Sequence, residues 1–294
     1  MKIRILIILI VFFLFIFIRG VDIYAFSPGD DYLWLEFEQC IREKNGSLTL
    51  PLRLNYGRFP GAKKGLRELD DVSVFYSLAE TDDEGKPVFY AARIQKDKQN
   101  YSVNINSSEQ NHFIVFAQAK KKRNKITDQY LAKTSFLLFG HAFFKKKNTR
   151  TILSREVNRQ LEIRTVPDVQ CWPQTGNSVK IIPVFKKGRL AQKAISLFDE
   201  NLPSVEIMTD EKGECAYIPP EDKRLNQKGE REFKQTVIVT EETQGGIRYI
   251  SSYTLLLHRS RFKNHRFFMG VAIFLGTMVV VFLFVIARRK RIKF

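Results

Sequence analysis

Four histidines, three cysteines and scattered carboxylates are the side chains of this chain that could do chemistry, and their spacing decides which chemistry is open to them. His112, His141, His258 and His265 are all far apart in sequence or set among arginines. His112 opens a predicted strand, and His141 follows another directly after Gly140. The two would meet at one end of a sheet, where a pair of imidazoles could share a divalent cation, or they stand as exposed loop histidines. Cys40, Cys171 and Cys215 form an odd set without metal-ligand spacing, so at most one disulfide closes within the chain. Cys171 with Cys215 is the favoured pair, since both fall in the β-rich second half. No Gly-x-Ser-x-Gly, His-Glu-x-x-His or glycine-rich phosphate loop is present. Asp70-Asp71 and Asp82-Asp83-Glu84 are adjacent acids in turn-like segments, which suits solvation better than paired acid and base work. The chain therefore reads as a protein that binds and does not catalyse. Its 25 Phe and 10 Tyr are spread along strand-like runs as core residues would be. Tyr32, Trp34 and Trp172 are the aromatics that could instead form an exposed shelf for a sugar ring.

The elements that must hold these residues are strands. From Leu48 the run Leu-Thr-Leu-Pro-Leu-Arg-Leu alternates with period two, as a strand with one buried face does. Similar runs at 72–78, 88–94, 101–105, 113–119 and 135–139 are separated by short polar segments, the spacing of a sandwich or barrel. The hydrophobic pattern breaks between Phe143 and Arg159, which places a domain boundary there. Beyond it, runs at 161–166, 179–185, 194–198, 205–208, 215–218, 233–239 and 247–257 match the strand count of an immunoglobulin-like sandwich. Lys186-Lys187-Gly188-Arg189 and Asp210-Glu211-Lys212-Gly213 read as hairpin turns whose glycine supplies a positive φ. The second of these also carries acids that a calcium ion could use, but the turn explains them without one.

Apolar segments flank this β-rich body. Residues 267–287 run 21 positions without a charge, enough for a helix of about 31 Å to cross a hydrocarbon core. Residues 5–18 are 14 uncharged positions after Lys2 and Arg4, with Ala25 as a cleavage site, and read as a secretory signal peptide or an uncleaved signal anchor. Arg288, Arg289, Lys290, Arg291 and Lys293 follow the second segment directly and place the tail in the cytoplasm, against four basic residues on the other flank. The formal charge of +17 shrinks to about +6 for the body once the net charges of the signal segment, the pre-membrane flank and the tail are set aside. That excess does not suggest nucleic acid; Lys120 to Arg123 and Lys145 to Lys147 read as solvated loops or as a contact to anionic lipid.

Several landmarks then fall in a familiar order. Tyr56-Gly57-Arg58-Phe59-Pro60, Tyr130-Leu131-Ala132-Lys133, Phe136-Leu137-Leu138-Phe139-Gly140 and Leu161-Glu162-Ile163-Arg164-Thr165-Val166-Pro167-Asp168 are followed by Gly176, the strand at 179–185, Lys187-Gly188, Ala194 and Thr209-Asp210-Glu211-Lys212-Gly213. Across 32–257 this series resembles the exported domain of unknown function 4198 family, associated with nickel transport complexes and their NikM-type subunits. The resemblance implies an exported, membrane-associated accessory to uptake of nickel or cobalt. It also implies that Asp30 and Asp31 stand where the family opens its mature chain with a His-Asp-x-Trp-like metal-binding segment, here Asp30-Asp31-Tyr32-Leu33-Trp34. Asp31 and Trp34 match that pattern, whereas Asp30 replaces the histidine with a carboxylate, a poorer partner for nickel than imidazole.

The expectation is an all-β protein divided into a signal segment (1–25), a first β-sandwich (26–158), a second, immunoglobulin-like sandwich (159–258), a basic flank (259–266), a transmembrane helix (267–287) and a cytoplasmic tail (288–294). Its metal-ligand candidates are Asp30, Asp31, His112 and His141, and its partners are membrane lipid and a membrane transporter subunit. The competing expectation is a structural or carbohydrate-recognition module of the cell envelope.

Overall fold

The computed structural model describes residues 31–37, 41–42, 48–61, 63–77, 88–97, 100–107, 112–123, 126–137, 160–166, 175–200, 202–220, 233–258, 271–279 and 281–282. The body is all-β and is built from three sheets. The first contains β1 (Tyr32–Phe37), β2 (Ile41–Arg42), β3 (Leu48–Gly57), β4 (Lys63–Lys64), β7 (Ile94–Asp97) and β8 (Asn100–Ser107). The second, central sheet runs in the order β15 (Val205–Met208), β14 (Ala194–Asp199), β17 (Phe233–Gln244), β18 (Ile247–His258), β10 (Thr127–Leu137), β9 (His112–Lys122), β5 (Asp70–Ser77) and β6 (Tyr90–Ala92). A third, small sheet joins β11 (Leu161–Val166), β12 (Val179–Phe185), β13 (Gly188–Arg189) and β16 (Cys215–Tyr217).

The expected division at 158 is not a division of the sheets. β10 from the first half pairs in parallel with β18 from the second, Thr127 opposite Ile247 through Thr134 opposite Thr254. A parallel pairing between segments about 120 residues apart leaves no local turn signal, so hydrophobic alternation could not announce it. The outer sheets cover opposite faces of the central one. Val237, Val239, Ile250 and Leu256 join Leu33, Trp34, Leu52 and Leu54 in one core, while Ile238, Tyr253, Leu255 and Leu257 join Ile163, Val179 and Ile181 in another. β17 and β18 are thus shared by two sandwiches and buried on both faces, which explains why Tyr249 to Leu257 carries no charge and no clean alternation.

Other differences follow from the same geometry. The run at 88–94 is two strands in two sheets, β6 and β7, separated at Arg93. The strand expected at 135–139 begins eight residues earlier because Asp128 and Lys133 are buried in ion pairs, which hides it from a hydrophobicity reading. β1 was not among the expected strands at all; the neighbouring side chain of Gln235 stitches it to β17 by accepting from Phe37 N and donating to Phe37 O, both at 3.0 Å. At the first predicted hairpin Lys186 and Lys187, not Gly188, adopt positive φ (47° and 73°), the two central positions of a type I′ turn. At the second, Gly213 has φ +72° as expected, and Asp210 Oδ1 accepts from the amides of Lys212 and Glu214.

Candidate functional site

The residues expected to bind metal are not assembled among the described residues. Asp31 is buried at the start of β1, where one carboxylate oxygen accepts from Lys64 Nζ at 2.6 Å and the other lies 3.9 Å from Arg58 Nε. This carboxylate pairs with Lys64 and, at longer range, with Arg58, and so ties the start of β1 to β4 and the 58–61 turn, while its Oδ1 is buried and accepts no hydrogen bond. Asp30 and His141 lie outside the described residues. His112 opens β9 opposite Leu137, at the end of the central sheet from which β18 leads toward the apolar helix. No group of three or more His, Cys, Asp or Glu side chains able to hold a metal is found among the described residues. Cys215 is half-buried with its thiol donating to the Ile181 carbonyl oxygen at 3.8 Å, and its expected partner Cys171 lies outside the described residues. Burial, with the negative charge of Asp210 second, pushes this thiol up to about 11. Tyr32 and Trp34 are fully buried in the first core, Tyr32 against Phe198 and Trp34 against Phe59, so they form no sugar-binding shelf. Trp172 lies outside the described residues.

A polar network that sequence reading missed crosses the first sandwich. Lys121 Nζ donates to Glu68 at 2.8 Å and to the Tyr56 hydroxyl at 3.3 Å. Tyr56 and Tyr130 share a hydroxyl contact at 3.4 Å, and Tyr130 donates to Asp128 Oδ2 at 3.1 Å. Asp128, 1 % exposed, is bracketed by Arg123 Nε at 2.6 Å and Arg248 Nε at 3.0 Å. Burial raises the Tyr130 hydroxyl well above the ordinary tyrosine range, and the hydrogen bond to Glu68 raises Lys121. Each member is partnered by another, so the network fastens β10 to β18 and β3.

The described residues also form an open cleft of about 390 Å³ where the central sheet passes out from under the small sheet. Its floor is one face of β9 and β10, since Gln129 pairs with Lys120 and Leu131 with Gln118. Tyr249, Gln160 and Leu161 form the wall on the side of the small sheet, and Asp71 closes the other side. Asp71 reaches this face through a register shift in β5 between Asp70 and Ser73, at φ 53°, a bulge that re-aims a side chain. Deeper along the same face, Lys133 and Glu162 form an ion pair, each 2 % exposed, that joins β10 to β11.

Residues 271–279 and 281–282 are helical and apolar, and their side chains are exposed on all sides: Ile273, Phe274, Leu275, Met278, Val281 and Phe282 range from 56 to 66 % exposed. Among the described residues no helix is long and apolar enough to cross a membrane. The remainder of the expected span, the expected signal segment and the Arg288, Arg289, Lys290 and Arg291 cluster lie outside them. No family model matches the chain, and no curated protein matches it.

Proposed function

We propose that the chain is a membrane-anchored, exported all-β accessory that docks on a transporter taking up nickel or cobalt, and that it works by binding without catalysis. The observation that carries the anchoring is the helix at 271–279 and 281–282, which presents large apolar side chains in every direction while the body buries most of its own. A helix apolar all round is stable only inside a large core or in lipid. Its continuation to 287 in the sequence completes a span, and the signal segment and basic tail set the body outside and the tail inside. The body is all-β, and its second half holds eight strands, β11 to β18, four of which belong to the central sheet shared with the first half. The transported metal comes from the family resemblance. With Asp31 held by Lys64 and Arg58, that metal is the transporter's cargo and not an ion resident at the start of β1.

The test is nickel and cobalt accumulation in cells that carry the full chain, lack it, or carry it with 267–287 replaced by an unrelated membrane helix. Accumulation that falls without the chain and stays low with the replaced helix supports docking through that helix. Accumulation that is the same in all three contradicts the proposal.

A further inference from the structure

We infer that the cleft between the central sheet and the small sheet is a binding site for a neutral saccharide, independent of the docking function proposed above. The floor and wall bring together three side-chain amides, Gln118, Gln129 and Gln160, beside Tyr249. Among the described residues none of the three side-chain amides has a hydrogen bond or an ion pair, while Asp71, Lys120 and Tyr130 beside them are paired. An amide both donates and accepts, and so does a sugar hydroxyl, so three converging amides match a ring of hydroxyls in a way that a row of cations or carboxylates does not. Leu131, Leu161 and Tyr249 are buried and show the cleft only narrow apolar edges, so recognition here rests on the amides.

The charge of the site argues for a neutral ligand. Lys120 and Asp71 are its charged residues, and they neutralise each other at 2.9 Å. A phosphate or carboxylate ligand would have to break that pair to be recognised. The backbone argues against a peptide. The floor lies in the interior of the central sheet, where β9 is paired with both β5 and β10, and β10 with β18, so no main-chain edge is open to an added strand. Recognition must therefore come from side chains. The left-handed backbone of Asp71 is the kind of strained position that recurs at binding sites, and here it is what brings the carboxylate over Lys120.

The experiment is saturation-transfer NMR on the full chain in lipid nanodiscs, with glucose, galactose and N-acetylglucosamine and their short β-linked oligomers as probes. The expected result is transfer to at least one of these sugars, stronger for an oligomer if the site reads a glycan chain and equal if it reads a free sugar. Gln129→Leu and Gln118→Leu should each weaken binding at least about tenfold, the loss of one or two hydrogen bonds. Asp71→Gly relieves a left-handed position that glycine adopts freely, so that variant keeps the fold while freeing Lys120, and it should weaken binding as well. No transfer to any sugar on the unaltered chain, or equal binding by the three variants, would overturn the inference. Sugar binding that survives in a chain whose metal accumulation phenotype is lost, or the reverse, separates this site from the docking function.

Discussion

At the scale of single residues, the buried ion pairs of this protein matter more than its candidate ligands. Lys133 and Glu162 are each 2 % exposed and join two sheets. Removing one partner leaves the other charged and dry, so Glu162→Ala should destabilise the fold by about 3–5 kcal/mol, whereas Lys133→Met with Glu162→Met should be nearly neutral. Urea midpoints of the two variants check this, and equal losses would contradict it. Cys215 offers a pH test. Its thiol is raised from 9.0 to about 11 because burial favours the neutral form. Between those values the unfolded chain has lost a proton that the folded one keeps, so this group's contribution to stability is full below pH 9 and declines as pH rises toward 11. Alkylation of Cys215 in the folded chain should accordingly be slow at pH 8 and speed up above pH 10; rapid alkylation at pH 8 would count against a buried, raised thiol. Asp31 shows what residue type alone leaves out: a carboxylate in a metal-like segment was legible, but the Lys64 ammonium 33 positions away that pairs with it was not.

At the scale of elements, the turns and the shared strands divide what sequence could tell from what it could not. The Asp210 to Gly213 turn was legible because glycine, aspartate and the flanking β-prone runs all agree. The Lys186–Lys187 turn was legible as a turn but not in its strain, since nothing in the sequence says that the lysines and not Gly188 take positive φ. Lys187→Gly should therefore stabilise the chain by about 1 kcal/mol. Gly213→Ala should do the opposite and by more, because a Cβ there would sit 2.7 Å from Arg189 Cβ as well as at φ +72°. Thermal melting of the two variants reads both signs, and a stabilised Gly213→Ala chain would refute the turn geometry. The cleft was not legible: Gln129 and Leu131 lay outside the expected strands, Lys120 was read as part of a loop, and the bulge that adds Asp71, the β10–β18 pairing that adds Tyr249 and the small sheet that brings Gln160 come only from tertiary structure. β10 was read short for the same reason: burial of Asp128 and Lys133 is invisible until their partners are placed.

At the scale of the whole molecule, all-β character followed from alternation and turn residues, while the sharing of β17 and β18 between two sandwiches did not. That sharing predicts that the body unfolds as one unit. In a Trp172→Phe chain, Trp34 fluorescence from the first sandwich and Cys215 labelling from the second should report a single transition, and Val237→Ala and Ile238→Ala, on opposite faces of β17, should shift both probes together. Two separated transitions would restore independent domains. The functional account rests on the body being carried outside a membrane by the apolar helix that follows it. Protease added to intact cells tests that most directly: the account predicts cleavage at the exposed β9–β10 hairpin near Lys122 and Arg123 with the tail at 288–294 left whole, and removal of the tail with the hairpin spared would contradict it.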